Sequence, residues 1–337
     1  MKKSAVVILN WNSRALLQRF LPVVIRNTPS EVDIYVADNG SSDGSADMVE
    51  AEFPAVKTIR LERNYGFAEG YNIALEQVDA DYCVLLNSDV ETPEGWFEPL
   101  AEALDADASV AAAAPKLLSL ENRDEFEYAG ASGGFIDFLG YPFCRGRILQ
   151  SVERDEGQYD DAREVFWASG AALCCRMNVF RKLGGFAGGF FAHMEEIDLC
   201  WRMQLAGYKV MTIPSSKVYH LGGGTLRKNS PGKVYYNHRN NLAMLLRCAP
   251  AGQRIAAILL RPFTDMLSAA VYLVCGHPSW SWAVVRAYAD FIGRHRQLSA
   301  ERKIIRAAAI REAHGVYKGS IVLRYIFGKH IYKGLEL

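Results

Sequence analysis

Asn87, Ser88 and Asp89 follow an apolar run, "YCVLL" at 82–86, which has the composition of a buried strand. A Pro-Glu-Gly turn comes next, so the Asp89 carboxylate stands just beyond the end of that strand. An Asp in this position is often a helix cap, and the nearby Pro93 agrees with that simpler interpretation. A hard cation such as Mg²⁺ or Mn²⁺ would also bind it, with waters and substrate phosphates completing the coordination.

A second acidic group lies in "FFAHMEEIDLC", residues 190–200. Glu195, Glu196 and Asp198 would fall in the first turn of a helix, where they could simply be capping charges. The aromatic residues before them suggest more, because an apolar wall raises a carboxyl pKa toward the range of a general base. A helix places Glu195 and Asp198 on one face and turns Glu196 aside by about 100°.

Three further polar segments have a structural explanation beside a functional one. "VADNGSSDGS" (36–45) is a turn that could cap a helix, yet Asp38 at its strand end could accept hydrogen bonds from a nucleotide. "RNYGFAEGYN" (63–72) has a glycine pair before a helix, which alone is weak support for a phosphate-binding loop. His220 stands before glycines in "VYHLGGG" and could be structural or a ligand.

The positions of these residues follow from the predicted secondary structure. Strands are predicted at 5–9, 33–37, 56–61 and 82–86, with helical patterns between them at 13–27, 45–53 and 66–78. This alternation predicts βαβ units, and hence an α/β fold with a mostly parallel sheet flanked by helices. Ligands bind outside the carboxyl ends of such strands, which is where Asp38 and Asp89 would lie.

The second half has a different pattern. Residues 115–165 are glycine-rich and predict mostly loop with some strand, whereas a helix is expected from Glu195 to a cap at Gly207. "YKVMTIP" then predicts a strand ending near His220, and from Pro231 the chain is expected to be largely helical.

Several protein classes lose support. No GxGxxG follows the first strand, where "NWNSRAL" stands instead, and no Walker A sequence occurs, which argues against dinucleotide oxidoreductases and P-loop enzymes. The seven cysteines are an odd number without CxxC spacing, which predicts buried thiols in a reducing compartment. The apolar run in "MKKSAVVILNWN" is too short for a signal peptide, so a cytoplasmic protein without a nucleic-acid partner is expected.

The charges divide unevenly along the chain, although 38 basic residues balance 38 acidic ones overall. From Arg247 onward, 14 Lys and Arg stand against 5 Asp and Glu, an excess of about nine positive charges. The uncharged run 266–285 has about the length of a spanning helix but is interrupted by "GHPSWSW". We expect helices on an anionic membrane surface; a true spanning helix and a dimerisation segment with solvated charges are the alternatives.

The order of these motifs is more informative than any one of them. The sequence resembles the family 2 glycosyltransferases, which have the GT-A fold, and in particular their rhamnosyltransferase-like branch. The resemblance covers roughly residues 4–247 and rests on motifs listed here in chain order: "VVILNWN", "VADNGSSDGS", "RNYGFAEGYN", "LLNSDVE", "WASGAALCCRMNVFRKLGGF", "MEEIDLCWRMQLAGYKV" and the H-x-GGG sequence at His220. It implies a catalytic domain over 1–247 with a Rossmann-like nucleotide-sugar fold, followed by a basic helical tail over 248–337.

The resemblance also implies roles for particular residues. Asp38 would accept the N3–H of uracil or thymine, which favours a UDP- or dTDP-sugar donor. Asp89 matches the metal-binding DxD motif, with Asn in its first position, and His220 is similar to the histidine that completes the Mg²⁺ or Mn²⁺ site. The donor pocket would be formed by Asn10, Asp38, Arg63, Asn64, Gly66, Asn87 and Ser88.

The acidic helix would supply the catalytic base. Glu196 takes the place of the usual catalytic Asp, with Glu195 as the alternative. Trp167, Ser169, Gly170 and Asp198 would border the acceptor and the donor sugar. The implied reaction inverts the anomeric centre of the sugar, with rhamnose favoured, as it moves to a hydroxyl of a glycan or a lipid-linked acceptor.

Two other functions are compatible with an α/β fold. A non-catalytic nucleotide-sugar-binding scaffold is expected to lack the base or the metal site, yet Glu196, Asp89 and His220 are all present. A nucleotidyltransferase needs a glycine-rich, arginine-bearing loop after the first strand, and "NWNSRAL" is not such a loop. The oligomeric state stays open, with a homodimer as one possibility.

Overall fold

The computed structural model describes residues 2–222 and 230–335. Gly223 and Gly224 of the motif that begins at His220 lie outside the described residues. The strands are β1 (Ser4–Asn10), β2 (Asp33–Asp38), β3 (Lys57–Arg60), β4 (Tyr82–Leu86), β5 (Val90–Glu91), β6 (Val110–Ser119), β7 (Gly134–Asp137), β8 (Pro142–Cys144), β9 (Arg147–Ile148), β10 (Ser151–Val152), β11 (Arg163–Glu164), β12 (Ala172–Arg176), β13 (Lys209–His220) and β14 (Val316–Tyr317).

The helices alternate with the strands in the first half and dominate the last third of the chain. They are α1 (Arg14–Asn27), α2 (Ser45–Glu52), α3 (Gly66–Glu76), α4 (Glu98–Ala106), α5 (Met177–Lys182), α6 (Glu195–Leu205), α7 (Pro231–Cys248), α8 (Ala251–Val274), α9 (Pro278–Gly293), α10 (His295–Ala307) and α11 (Ile321–Ile326).

The large sheet has the strand order β11-β13-β6-β12-β4-β1-β2-β3, and β5 pairs with β13. β3, β2, β1 and β4 run parallel, as the βαβ pattern predicts. β12 enters antiparallel between β4 and β6, and β11 and β5 pair antiparallel with β13. The prediction of an α/β fold with a mostly parallel sheet is confirmed: β1, β2, β3, β4, β6 and β13 run in one direction, whereas β5, β11 and β12 run against them.

The segment predicted as mostly loop contains more strand than its sequence suggests. β6 is fully paired in the large sheet, and β7 to β10 form most of a second sheet in the order β10-β9-β8-β7-β14. Its last strand, β14, comes from the tail, and Val316 pairs with Ile136 of β7. The tail therefore completes a sheet begun near the middle of the chain.

Both faces of the large sheet are covered by apolar side chains, which explains the continuous apolar runs of its central strands. All seven cysteines lie within the described residues as free thiols, and all except Cys275 are buried. The expectation of buried thiols without a disulfide framework is met.

The tail is helical, as predicted, and its long uncharged run is divided between two helices. α8 ends at Val274, and the interruption expected at "GHPSWSW" separates it from α9, which starts at Pro278. Among the described residues, α8 is the one helix long and apolar enough to cross a membrane.

Candidate active site

Polar side chains collect where β1, β2 and β4 end. The register aligns Asn10 with Asp38 and Ile8 with Leu86, so Asn87 and the residues after it emerge beside Asn10. This is the ligand-binding edge expected for the parallel part of the sheet.

Asp38 and Asn10 form a buried polar pair at this edge. Asp38 Oδ1 accepts a hydrogen bond from Asn10 Nδ2 at 2.9 Å, and its Oδ2 accepts from the Ser41 backbone N–H at 3.0 Å. Asn10 Nδ2 also donates to Ser45 Oγ at 2.7 Å, while Asn10 Oδ1 is buried with no hydrogen-bond partner among the described residues. Because a carboxylate has about four acceptor positions, Asp38 and Asn10 together can still accept N–H groups from a nucleotide base.

The Asp89 carboxylate lies against His220. β5 pairs with the end of β13, which brings His220 Nε2 to 3.1 Å from Asp89 Oδ1. The other ring nitrogen, Nδ1, lies 3.3 Å from Glu127 Oε2, and all three side chains are buried. Burial by itself would lower the pKa of the His220 imidazole. The neighbouring Asp89 and Glu127 carboxylates outweigh burial and raise this pKa to about 10.

This arrangement fits a divalent cation held by two protein ligands. Asp89 oxygen and His220 Nε2 are adjacent metal-binding atoms, and the other nitrogen of a metal-binding histidine usually faces a carboxylate, as His220 Nδ1 faces Glu127 Oε2 at 3.3 Å. No group of three or more metal-binding side chains occurs in the part of the chain that the structure describes. A cation here would take its remaining ligands from diphosphate oxygens and water.

Glu195 and Glu196 begin α6, and each has an Oε2 atom that is buried with no hydrogen-bond partner among the described residues. Burial raises the pKa of Glu196 to about 7, and burial together with the charge on Glu196 raises that of Glu195 well above its ordinary value. Glu195 is also the more buried of the two, with 5% of its surface exposed. The environment therefore raises the pKa of both carboxyl groups, and brings that of Glu196 toward the range of a general base.

The backbone just before these carboxylates adopts unusual conformations. Phe191, His193 and Met194 have φ angles of +66°, +69° and +71°, in the left-handed region that non-glycine residues seldom adopt. Such conformations persist only where surrounding contacts enforce them, and they are concentrated at functional sites.

Those contacts come chiefly from Asn240 on α7. Its Nδ2 donates to the backbone oxygens of Phe190, Ala192 and His193 at 2.9, 2.9 and 2.8 Å. The neighbouring Arg239 donates from Nη2 to the Phe190 oxygen at 2.9 Å. α7 therefore fixes the loop that leads into Glu195 and Glu196.

The same loop packs on the start of α3. The Phe191 oxygen accepts from the backbone N–H groups of Phe67 and Ala68 at 2.6 and 3.2 Å. A Cβ at Gly66, whose φ is +78°, would stand 2.5 Å from the Phe191 ring. Gly66, expected in the donor pocket, is thus required for this close approach.

Contacts near Gly170 link Glu196 to the Asp89–His220 pair. A Cβ built on Gly170 would lie 3.7 Å from Glu196 Cβ, so the glycine keeps space open beside the base. The next residue, Ala171, accepts the Asn87 backbone N–H at 3.0 Å, and Asn87 Nδ2 lies 3.4 Å from His220 Nε2. This chain of contacts brings Glu196 and the Asp89–His220 pair to one side of the sheet.

Two residues expected at the acceptor do not lie there. Asp198 is fully buried and paired with Arg247 and with Arg202 at 2.7 Å, so its carboxylate holds α6 and α7 together instead of meeting a sugar. Trp167 is 3% exposed, with Nε1 donating to the Phe135 oxygen at 3.0 Å, and it packs in the core. Arg202 lies one helical turn after Asp198, whereas Arg247 and the Phe135 oxygen come from distant parts of the chain and could not be read from local spacing.

The remaining expected residues lie near the edge in different environments. Ser169 is buried and donates to the Ala129 oxygen at 3.0 Å, and Ser88 is also buried. Asn64 Oδ1 accepts from the Gly66 N–H at 2.8 Å, which fixes the start of α3. Arg63 is exposed and lies over the Tyr65 ring at 4.9 Å, where its charge is available to a ligand.

Sequence analysis missed Glu127 and Asn240. Glu127 falls in the irregular middle segment, and no local pattern relates it to His220, 93 positions later. The "RNN" sequence at 239–241 could have given a signal, because Arg and paired Asn residues are seldom buried on a helix unless they have partners.

The chain is similar in sequence and fold to known proteins. Residues 5–151 match the family model described as Glycosyl transferase family 2. An N-acetylglucosaminyl-diphospho-decaprenol L-rhamnosyltransferase of Mycobacterium tuberculosis is 26% identical over 258 residues, which cover 71% of this chain and 83% of the relative.

Two solved glycosyltransferase structures show the same fold. The structure of GalNAc-T7 with UDP, GalNAc and Mn²⁺ matches with a TM-score of 0.59 and 18% identity over 73% of this chain. That match covers 48% of GalNAc-T7, so this chain spans about half of its length. S. aureus TarS 1-349 in complex with UDP-GlcNAc matches with a TM-score of 0.57 and 17% identity, over 91% of this chain and 87% of that one.

The fold is therefore that of the GT-A glycosyltransferases. Residues 5–151 therefore match a glycosyltransferase family 2 domain.

Proposed function

We propose that this glycosyltransferase transfers a sugar, with rhamnose favoured, from a UDP- or dTDP-sugar to a hydroxyl of a glycan or lipid-linked acceptor, with inversion at the anomeric carbon. The observation that carries the proposal is the pair of glutamates at the start of α6, each with one carboxyl oxygen that is buried and has no hydrogen-bond partner among the described residues, linked through Gly170 and Asn87 to the Asp89–His220 pair. A binding scaffold has no need for a buried carboxyl group whose pKa is raised to about 7.

The donor would bind along the strand ends. The Asp38 carboxylate and Asn10 Oδ1, which has no hydrogen-bond partner in the described part of the chain, would accept N–H groups of the pyrimidine base. Asp89 and His220 would hold Mg²⁺ or Mn²⁺, which supplies positive charge to the diphosphate as negative charge builds on it. The relatives' structures were solved with UDP, UDP-GlcNAc and Mn²⁺, which supports this assignment.

Glu196 would act as the general base. Its carboxylate takes the proton of the acceptor hydroxyl, whose oxygen attacks C1 of the sugar from the face opposite the leaving group. The bond from C1 to the diphosphate oxygen breaks through an oxocarbenium-like state, as in glycoside hydrolysis, and the nucleoside diphosphate leaves with the bonding electrons. One displacement inverts the configuration, and no covalent enzyme intermediate is needed.

The acceptor class is supported by the mycobacterial relative, whose name specifies a sugar-diphosphate-lipid acceptor and a rhamnosyl donor group. A lipid-linked acceptor would place the reaction at the cytoplasmic face of a membrane, which agrees with the excess positive charge of the tail.

The test is an assay with dTDP-rhamnose and UDP-sugars, Mn²⁺ or Mg²⁺, and N-acetylglucosaminyl-diphospho-polyprenol. We expect nucleoside diphosphate release that depends on the acceptor, together with a glycolipid heavier by one sugar. Donor binding without any transfer to glycan or lipid-linked acceptors would instead identify the scaffold function.

A further inference from the structure

The polarity of α8 is inverted relative to that of a helix in a water-soluble protein. Its buried stripe recurs every four residues and consists of Gln253, Ala257, Arg261, Asp265 and Ala269. The apolar stripe of an ordinary surface helix faces the protein core and its charges face water. In α8 two of the three charged side chains, those of Arg261 and Asp265, face the protein.

The opposite face of α8 is apolar and exposed along its whole length. We define the α8 apolar face by large side chains that are 51–87% exposed, namely Ile255, Leu259, Phe263, Leu267, Val271 and Val274. Between Ile255 and Val274 the only charged residues are Arg261 and Asp265, and both belong to the buried stripe. Twenty-four helical residues extend about 36 Å, so the apolar side chains form a long contiguous surface, and such exposed surfaces mark interaction sites.

We propose that the α8 apolar face inserts into one leaflet of an anionic membrane, with the helix lying parallel to the membrane plane. Residues from Arg247 onward carry about nine excess positive charges, which complements anionic head groups. At the C-terminal end of α8, Tyr272 and Trp280 pack edge-to-face at 5.5 Å, and such aromatic side chains favour the membrane interface.

The buried stripe explains why the helix lies flat and does not span. Arg261 Nη1 donates to the Leu139 oxygen at 3.0 Å, and Asp265 accepts from Tyr141 and Tyr288 hydroxyls at 2.8 and 2.7 Å. A spanning orientation would remove Arg261 and Asp265 from these partners and place both charges in hydrocarbon. In the flat orientation they stay in the protein, and only the apolar face meets lipid.

A cavity beside this face also suits acyl chains. It has a volume of about 190 Å³, lies between α7, α8 and α9, and is lined mainly by apolar side chains, including Leu242, Leu246, Ile258 and Ile292. Ile258 and Ile292 are 47% and 67% exposed, so solvent-accessible apolar surface borders the cavity.

The test is sedimentation of the full chain with vesicles of phosphatidylethanolamine and phosphatidylglycerol, compared with vesicles of phosphatidylcholine alone. The variant combines Leu259→Gln, Phe263→Gln and Leu267→Gln, which remove three apolar side chains that are 61–76% exposed. The control is Ile310→Gln, because Ile310 is 77% exposed but lies outside the helices, next to Gly207. Thermal unfolding checks that each variant is folded.

We expect the wild type and the control to bind the anionic vesicles, and the triple variant to bind at least about tenfold more weakly. Cys275, which follows α8 and is exposed, should remain accessible to a membrane-impermeant maleimide added outside the vesicles. The membrane proposal rests on the proposed function only through the lipid-linked acceptor. Because vesicle binding is measured without donor or acceptor, the membrane proposal and the proposed sugar transfer can each fail without the other.

Three results would overturn the proposal. Equal binding by the triple variant and the wild type would exclude this face. Protection of Cys275 from the maleimide would indicate a spanning helix. The wild type could also fail to bind vesicles but form a dimer that the triple variant does not form. That result would identify a second copy of the chain as the partner that covers the α8 apolar face.

Discussion

Replacing Glu196 by Gln should abolish most activity and at the same time stabilise the fold. Burial raises the pKa of Glu196 from its ordinary 4.5 to about 7, so the ionised form is unfavourable in the folded protein by up to about 3 kcal/mol. For a carboxyl group with a raised pKa, this cost is absent below about pH 4.5 and grows as the pH rises toward about 7. Gln cannot ionise and therefore avoids the cost.

The expected outcome is a pair of opposite changes measured on one variant. At about pH 8, Glu196→Gln should raise the free energy of unfolding in urea by up to about 3 kcal/mol, and below about pH 4.5 it should change little. Sugar transfer should fall about 10²- to 10⁴-fold, the usual contribution of a general base, while donor binding is kept.

Glu195→Gln is the matched comparison, because Glu195 precedes Glu196 and has a pKa raised well above its ordinary value. If Glu196 is the base, replacement of Glu195 should cost much less turnover. If Glu196→Gln retained turnover while Glu195→Gln lost it, the assignment of the base would be refuted. Lower stability of Glu196→Gln at about pH 8 would refute the electrostatic argument.

Four further results are expected. The turnover number of the wild type should rise with pH through about 7, as Glu196 loses its proton, and a profile flat across this range would contradict its role as base. Asp198→Asn should lower the free energy of unfolding by about 3–5 kcal/mol, because two buried arginines lose their carboxylate; unchanged urea denaturation would contradict this. Asn240→Ala should reduce the turnover number about ten- to a hundredfold with unchanged calorimetric donor affinity, since it frees the loop before the base; the reverse pattern would place Asn240 at the donor. Chelation by EDTA should abolish transfer and added Mn²⁺ should restore it, whereas activity in EDTA would contradict a metal at His220.

The strands and helices of the first half follow from the sequence because their patterns are local. The runs at 5–9 and 33–37 are apolar at consecutive positions, as expected for strands covered on both faces, and β1 and β2 include them. The mixed second half could not be predicted in this way. β12 and β6 are paired by contacts between segments about 60 residues apart, and no short window contains that information.

The same distinction between local and long-range information holds for the active-site residues. Asp38 and Asp89 were placed at the sheet edge because each directly follows a strand, and the structure puts them there. Asp198 was predicted to border the acceptor, but it pairs with Arg202 one turn along α6 and with Arg247 of α7, and the second partner depends on how α7 packs against α6. Glu127 was missed for a similar reason, since it approaches His220 from a segment without regular periodicity. Burial and pairing of charges are tertiary properties, and they separate structural carboxylates from reactive ones.

The most direct test of metal-dependent donor binding at Asp89 is calorimetric titration of UDP and dTDP, each with and without Mn²⁺, into the wild type and Asp89→Asn. We predict that one nucleotide binds the wild type in a Mn²⁺-dependent way and that Asp89→Asn loses this dependence. Equal affinity with and without Mn²⁺ in both proteins would contradict the metal–diphosphate site and favour a binding module that does not catalyse transfer.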